Sequence, residues 1–341
     1  MQNTKTIKVI GTILSIVFLL LSINIISMAK SKTDVGDFTY ELLEDGCAKI
    51  TGLKYNQHIL PAVMQVAQVD IPTEIDGYVV KVIGENAFEN MSFFRLTIPE
   101  SVVTIEKGAF CNNSILNSIN FSNGIKRIEE YAFIGCRALE KIELPDSLVE
   151  LGHDSFACTA LKEIKLTAEN VGNGAFSECS SLEKVKMSDD VKNIGMCAFY
   201  GCTSLTEIVV GRNTKFLGTA LFQGCVNLKR ILIPQSVTIF EENNILFEDV
   251  YLDAIYGFKG SAAENYANAK KITFIDITKA YSDGDINLDG IADESDFEYI
   301  IQATITDGFF SEIENAIADV NGDGAVDGFD VSVIERMINR H

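Results

Sequence analysis

Hydrophobic residues recur along most of the chain at a nearly constant spacing, and phenylalanine marks this repeat most clearly. Successive members of the series lie 22, 23, 23, 20, 23 and 23 residues apart. Most belong to an I-G-x-x-A-F pattern, a cysteine often follows three residues later, and an L-x-x-I-x-L segment comes next. Such a period indicates a solenoid, because one coil cannot bury its own apolar face whereas stacked coils share a continuous core. The series consists of Phe88, Phe110, Phe133, Phe156, Phe176, Phe199 and Phe222.

The L-x-x-I-x-L segments predict the β-structure of the solenoid. They are short and rich in β-branched residues, so we expect one strand per coil and a parallel sheet along one side of about seven coils of about 23 residues. Pro99, Pro145 and Pro234 follow such segments and end the strands, since proline cannot donate to a sheet ladder. The clearest segments are residues 139–144, 161–166, 182–187 and 228–233.

The outward positions of these strands mix charges over the middle coils, a pattern typical of a solvated face. Val209 and Leu232 interrupt this pattern and predict an apolar contact near the C-terminal coils. Two explanations remain open from the sequence. Either a macromolecular partner binds these residues, or a C-terminal cap formed by residues 251–277 covers them.

Beyond residue 280 the pattern changes to two acidic segments, each followed by apolar residues at helical spacing. The segments start at Asp285 and Asp319 and place oxygen-bearing side chains at positions 1, 3, 5, 9 and 12, with glycine at position 6. A twelve-residue loop of this kind wraps a hard cation in oxygen ligands, and the glycine permits its sharp turn. The predicted ligands of the first loop are the side chains of Asp285, Asn287, Asp289, Asp293 and Asp296 and the carbonyl of Ile291. Those of the second loop are the side chains of Asp319, Asn321, Asp323, Asp327 and Asp330 and the carbonyl of Ala325.

This ligand set favours two calcium ions. Four carboxylates in each loop repel one another without a cation, so metal binding is expected to be coupled to folding of this region. The high ligand count suits calcium better than magnesium, and no cysteine or histidine in the loops points to zinc. A helix is predicted after each loop, and residues 309–318 predict a third, short one. Residues 280–284 leave no room for the helix that enters an ordinary EF-hand, whose position 12 is also Glu instead of Asp.

The duplicated motifs G-D-I-N-L-D-G and A-D-V-N-G-D-G, with Asp at position 12 and a helix after each loop, resemble a type I dockerin. The resemblance covers residues 283–341 and implies a small all-α module with two F-hand calcium loops, which calcium orders. It also implies docking onto a cohesin domain of a scaffoldin, as in cellulosomes. In that family, loop positions 10 and 11 and the helix that follows contact the cohesin. The matching residues here are Glu294, Ser295, Gly328, Phe329, Arg336 and Arg340.

The two halves of the dockerin-like module differ in these contact positions. Glu294-Ser295 in the first half corresponds to Gly328-Phe329 in the second. We therefore expect one preferred docking face, in the second half, instead of the two-way docking that near-symmetric dockerins allow. The alternative is that Phe329 covers the core and that both arginines are solvated.

The repeated block resembles the BspA-like leucine-rich repeat family. The likeness rests on I-P-T-E-I-D-G-Y-V-V-K-V-I-G-E-N-A-F (residues 71–88) and on the recurring A-F-x-x-C-x-x-L. It covers residues 37–277 and implies a leucine-rich-repeat solenoid. It also implies a surface-exposed or secreted protein that binds other macromolecules, although it does not fix the partner.

Charge and the N-terminus extend this picture. The formal net charge is -20, and residues 281–341 hold fifteen Asp and Glu against two Arg, which places -13 of the charge there. Such acidity argues against nucleic acid, whose phosphates need clusters of Lys and Arg. Lys5, Lys8 and the apolar residues 9–26 predict a secretory signal peptide cleaved after Ala29, with an uncleaved membrane anchor as the rival interpretation. We therefore expect an extracellular protein that the scaffold holds at the cell surface.

No catalytic site is predicted. Most of the eight cysteines sit at one repeat position, where a small apolar residue fills the coil, so buried free thiols are favoured over disulfides. His153 and Cys158 lie within one coil and make a weak case for a nucleophile pair. We interpret the chain as a non-catalytic binding protein. The alternatives are a surface adhesin whose calcium module is only a structural cap, and a cryptic polysaccharide hydrolase.

The predicted organisation has five parts. They are a signal peptide (residues 1–29), an N-terminal cap and entry to the repeats (30–82), the repeat solenoid (83–250), a C-terminal cap and linker (251–280) and the dockerin (281–341).

Overall fold

The computed structural model describes residues 33–54, 67–238, 246–247, 249–306 and 311–339. Most of the described chain is a parallel β-solenoid of about nine turns. The sequence predicts about seven coils, and the additional turns lack the phenylalanine pattern. Parallel stacking continues before Phe88, where the β2–β5 ladder shifts register between Ala48 and Lys49, and after Phe222 through β17, β18 and β19. In chain order the strands are β1 (Phe38–Leu42), β2 (Ala48–Leu53), β3 (Gln68–Asp70), β4 (Glu74–Ile75), β5 (Tyr78–Ile83), β6 (Arg95–Ile98), β7 (Thr104–Ile105), β8 (Ser118–Phe121), β9 (Arg127–Ile128), β10 (Glu150–Leu151), β11 (Glu163–Leu166), β12 (Asn170–Val171), β13 (Lys184–Met187), β14 (Asn193–Ile194), β15 (Glu207–Val209), β16 (Phe216–Leu217), β17 (Arg230–Leu232), β18 (Ala254–Gly257) and β19 (Phe274–Asp276).

The longest sheet runs along the I-G edge of the coils, where the sequence pattern predicts no strand. Its order is β1-β2-β5-β7-β9-β10-β12-β14-β16, and β4 pairs with β5. β1 and β2 form an antiparallel hairpin at the N-terminal end, and the ladders from β2 onward are parallel. The glycine of the I-G pair is required by the close approach of neighbouring coils. A Cβ atom on Gly172 would lie 2.6 Å from the carbonyl carbon of Gly152.

The predicted L-x-x-I-x-L sheet lies on the other side of the solenoid and is divided into three. Its parts have the orders β3-β6-β8, β11-β13 and β15-β17-β18-β19. The strand predicted over residues 139–144 is wrong, since only an isolated bridge between Lys141 and Glu163 forms there. The other three segments quoted above contribute β11, β13 and β17 as predicted.

A ladder of phenylalanine rings fills the core between the two sides. Neighbouring rings from Phe88 to Phe222 stack with centroids 5.0 to 5.9 Å apart and planes within 10° of parallel. The 20-residue step from Phe156 to Phe176 keeps this stacking, with centroids 5.9 Å apart. Phe247 adds an eighth ring, 5.6 Å from Phe222, that the sequence pattern did not reveal.

A second ladder, of cysteines, runs beside the rings. Cys136, Cys179, Cys202 and Cys225 are fully buried, and each Sγ lies 3.0 to 3.4 Å from the carbonyl oxygen of a phenylalanine in a preceding coil. All eight cysteines are free. Burial raises the pKa of Cys136 to about 12 and that of Cys179 to about 11. The thiols of Cys136 and Cys179 therefore pack the core and donate weak hydrogen bonds, and they do not act as nucleophiles.

Five α-helices complete the described structure. The helix α1 packs beside β18, and the other four belong to the region of the acidic loops, called here the C-terminal module (residues 278–339). α2 overlaps residues 280–284, where the sequence predicts no entering helix. It has only five residues, so it is much shorter than the entering helix of an ordinary EF-hand. The helices are α1 (Ala262–Lys270), α2 (Thr278–Ser282), α3 (Glu294–Ile305), α4 (Glu312–Ala318) and α5 (Gly328–Ile338).

Within the described ranges, no helix is long and apolar enough to span a bilayer. The predicted signal peptide or anchor, residues 1–29, lies outside those ranges.

Candidate calcium centre and docking surface

The first acidic loop is folded around its own carboxylates. Backbone N–H groups donate to them at each end: Gly290 to Asp285 Oδ2 at 3.1 Å, and Asn287 to Asp296 Oδ1 at 2.9 Å. Gly290, at position 6, has a φ of +95°, which lies in the left-handed region that glycine adopts freely. The loop therefore makes the turn that the predicted ligand register requires.

The second loop repeats this arrangement in the same register. Gly324 donates to Asp319 Oδ2 at 3.0 Å, and Asn321 donates to Asp330 Oδ1 at 3.2 Å. Gly324 has a φ of +90°. The two loops are thus structural equivalents, as their sequences predict.

The residues at positions 9 and 12 also begin the helices. Asp293 is the N-cap of α3, where its Oδ1 accepts the Ser295 N–H at 2.8 Å. Asp327 caps α5 in the same way through Phe329 N–H at 2.7 Å. Because an N-cap aspartate satisfies an otherwise unpaired helix donor, a loop of this kind and the helix after it form together.

The oxygens of the second loop converge most tightly. Carboxylate atoms of Asp319, Asp323 and Asp330 lie within 4.8 Å of one another, the one such cluster of acidic, Cys or His groups in the described part of the chain. Asp327 is outside this cluster and serves as the helix cap. In the first loop, Asp285 is buried and its Oδ1 has no hydrogen-bond partner. An unpaired buried carboxylate oxygen and three converging carboxylates fit a hard cation with oxygen ligands.

Electrostatics at both loops agree with that fit. Burial raises the pKa of the Asp285 carboxyl above its ordinary value, and the neighbouring Asp296 carboxylate adds to the rise. Burial likewise raises the pKa of Asp330, with Asp319 acting in the same direction. A divalent cation would oppose both shifts, because it compensates the negative charge that burial and the neighbouring carboxylates disfavour.

The predicted cohesin-contact residues lie on the surface. Glu294 and Ser295 at the start of α3 are exposed, as are Gly328 and Phe329 at the start of α5. Phe329 is 59% exposed, so it does not cover the core. Arg336 is exposed and its Nε donates to the Ser332 carbonyl at 2.9 Å. Arg340 lies outside the described residues.

Sequence reasoning missed two exposed apolar residues in the first half of the module. Ile291, at loop position 7, is 62% exposed, and Ile305, at the end of α3, is 68% exposed. For Ile291 a signal was available, since only its carbonyl is a predicted ligand and its side chain has no role in the metal site. The helical spacing of apolar residues placed Ile305 on the buried face of α3, and that prediction is wrong.

The apolar contact predicted at Val209 and Leu232 is covered mainly by the C-terminal module. Both residues belong to one apolar cluster with Ile313 and Ile317 of α4. Tyr256, from the predicted cap, joins the same cluster. The alternative in which residues 251–277 cover this site is therefore correct only in part, since α4 also covers it.

His153 and Cys158 do not form a nucleophile pair. The His153 ring lies between the Asn173 carbonyl, 2.8 Å from Nδ1, and the Asp154 carboxylate, 3.0 Å from Nε2. Burial raises the pKa of the Cys158 thiol, with the Glu178 carboxylate adding to the rise. Both effects oppose formation of a thiolate.

Family models of known proteins match both parts of this architecture, the repeat block and the C-terminal module. Residues 81–171 and 169–280 match the model of the BspA type leucine rich repeat region, with six copies. The chain belongs to the BspA-type leucine-rich repeat family. Its C-terminal module matches the dockerin type I domain over residues 283–339, and is called the dockerin below. Both are generally non-catalytic types, and no enzymatic domain is found.

Solved structures give the same fold for the repeat block. The T. pallidum leucine rich repeat protein TpLRR is 29% identical, with a TM-score of 0.50 over 58% of this chain and 90% of that one. A leucine rich cell surface protein from Faecalibacterium prausnitzii A2-165 is 24% identical, with a TM-score of 0.52 over 66% of this chain and 69% of that one. The second likeness concerns the fold alone. None of the curated proteins matches the chain.

Proposed function

We propose that this chain is a secreted, non-catalytic binding protein whose dockerin attaches it to a cohesin of a scaffoldin. The repeat block is then displayed for recognition of a protein or a surface. The observation that carries the proposal is the pair of equivalent loops, each tied by a capping aspartate to a helix whose first two residues are exposed. Dockerins dock on cohesins, and this chain adds a BspA-type repeat block to that attachment module.

Two calcium ions order the dockerin in this proposal. The twelve loop residues named from the sequence hold them, six to each loop. The converging carboxylates of the second loop and the unpaired Oδ1 of Asp285 support this assignment. The ions neutralise part of the negative charge and allow each loop to keep the turn that starts its helix.

The cohesin contacts the first turns of α3 and α5, with the second half preferred. Phe329 supports this choice, because a largely exposed aromatic side chain at the start of a helix is a typical interface anchor. Glu294 and Ser295 offer only polar contacts at the equivalent place in α3.

The test uses the purified full chain, a panel of immobilised type I cohesins, and buffers with calcium or EDTA. We expect retention on at least one cohesin in calcium and none in EDTA. Phe329→Ala should weaken retention, whereas Val226→Ala should not, since Val226 is an exposed apolar residue of the repeat block. Calcium-independent binding, or no gain of helical circular dichroism on adding calcium, would refute the proposal.

A second candidate function has specific support. The dockerin covers apolar residues of the last coils, which is what a structural cap of a solenoid does. A surface adhesin capped in this way would bind no cohesin. Asp330→Ala would then lower the melting temperature of the repeat block without releasing the protein from any complex.

A further inference from the structure

The dockerin is seated on the outward face of the repeat block through α4. This short helix lies against β15 and β17, the strands that carry Val209 and Leu232. Ile313 and Ile317 of α4 share one apolar cluster with these two residues. Ile313 is fully buried, and Leu232, which points away from the solenoid core, is only 4% exposed.

Polar contacts at the edge of this interface fix the position of α4. Glu207 of β15 accepts the Glu312 N–H through Oε1 at 2.7 Å and pairs with Arg230 through Oε2 at 2.6 Å. Lys184 of β13 lies 3.4 Å from the Glu312 carboxylate. Glu207 thus satisfies a backbone donor at the start of α4 and, at the same time, a neighbouring cation of its own sheet.

Arg212 extends the contact from α4 to the second calcium loop. Its backbone N–H donates to Asp189 Oδ1 at 3.0 Å, which ties it to the preceding coil. Its Nη2 donates to the main-chain oxygen of Asp319 and lies 3.4 Å from Asp319 Oδ2. The guanidinium also lies over the Tyr281 ring, 5.8 Å from its centroid, and Tyr281 in turn donates to the Ala316 carbonyl at 2.5 Å.

Asp319 occupies position 1 of the second loop, so Arg212 touches a predicted calcium ligand from outside the dockerin. The first loop has a different environment. Asp285, its position 1, keeps an unpaired Oδ1, and Lys279 donates to the Gly290 carbonyl at 2.9 Å. The two loops are therefore alike internally but unequal in their support from the rest of the chain.

We propose that seating of α4 on the repeat block is coupled to calcium binding, and that Arg212 is a positioning residue for the second calcium loop. This inference rests on the proposed function, because it assumes that calcium orders the dockerin. Calcium and the interface both favour the folded dockerin, so each should strengthen the other by thermodynamic linkage. Groups that orient metal ligands from outside typically change metal affinity about 10- to 100-fold when removed.

The test measures calcium binding to the full chain by isothermal titration calorimetry, together with the calcium midpoint of helical circular dichroism. Arg212→Gln should raise the calcium midpoint about 10-fold. Leu232→Asp should do the same, because it places a charge within the apolar interface. Arg95→Gln is the control, since Arg95 is an exposed arginine of the repeat block on β6, which belongs to a different sheet from β15 and β17.

Combined variants show on which of the two calcium loops Arg212 acts. In an Asp296→Ala background, which disables the first loop, the effect of Arg212→Gln should persist. In an Asp330→Ala background it should disappear.

The two proposals fail in different ways. A wild-type chain that gains no helix with calcium overturns the proposed function. A wild-type chain that titrates normally, with Arg212→Gln and Leu232→Asp unchanged or bound more tightly by calcium, overturns the coupling and leaves the proposed function intact.

Discussion

The phenylalanine ladder makes a quantitative prediction about the stability of the repeat block. Phe133 is fully buried between two stacked neighbours, with centroids 5.1 Å from Phe110 and 5.0 Å from Phe156, and Phe121 meets its edge at 5.8 Å. Replacing Phe133 by alanine removes the whole ring from a closely packed core. A buried Phe→Ala change costs about 3 to 5 kcal/mol, and each lost aromatic pair contributes about 0.5 to 1.5 kcal/mol of specific interaction energy. With three such pairs, we place Phe133→Ala at the upper end, about 5 kcal/mol.

The measurement is urea unfolding followed by circular dichroism. With a slope of about 3 kcal/mol per M, the midpoint should fall by roughly 1 to 2 M. Because each coil contacts only its neighbours, the loss should also uncouple the coils on either side and broaden or split the transition.

The matched control is Phe247→Ala at the end of the ladder. Phe247 is partly buried and stacks on one phenylalanine, Phe222, with an edge contact to Tyr266. We expect a loss of about 1 to 2 kcal/mol there. Equal losses for the two variants, or a loss below about 1 kcal/mol for Phe133→Ala, would refute the view that the central rings carry the cooperativity of the solenoid.

Three further predictions concern the coil contacts, the metal site and the thiols. Gly172→Ala should destabilise the protein by about 1 to 3 kcal/mol in thermal unfolding, because its Cβ would meet the neighbouring coil at 2.6 Å; Gly36→Ala, with nothing within 4 Å of its Cβ, should change stability little. Asp330→Ala should reduce the calcium stoichiometry measured by calorimetry from two ions to one, and an unchanged stoichiometry would exclude Asp330 as a ligand. Cys136 should resist thiol reagents in the native protein at pH 8, because burial raises its pKa to about 12; rapid labelling without denaturant would contradict its placement in the core.

The sequence was sufficient for the features that repeat. Phenylalanine spacing predicted the solenoid and its ring ladder, since a core shared by stacked coils requires the same residue at the same place in each coil. The register of Asp and Gly predicted the two loops, because cation ligands and the turn around them tolerate few other residues.

Features that do not repeat were not predictable in this way. The strands of the I-G edge, such as β10, are only two residues long, too short for an alternating pattern to be recognised. Phe247 lies outside the I-G-x-x-A-F pattern, so its place in the ladder depends on stacking alone. Arg212 is one charged residue among many, and its contact with Asp319 joins positions 107 residues apart.

The seating of α4 on β15 and β17 also determines how a pulling force would pass through the protein. A cohesin that holds the dockerin while a ligand holds the early coils would load the solenoid through the side of its last coils, instead of through a flexible tail at its end. The force would cross the Glu207–Glu312 contact and the apolar cluster at Leu232 together, loading them in parallel. Under the proposed function the attachment point would be a broad mechanical joint, in which calcium bound in the neighbouring loop would stiffen the part that bears the load.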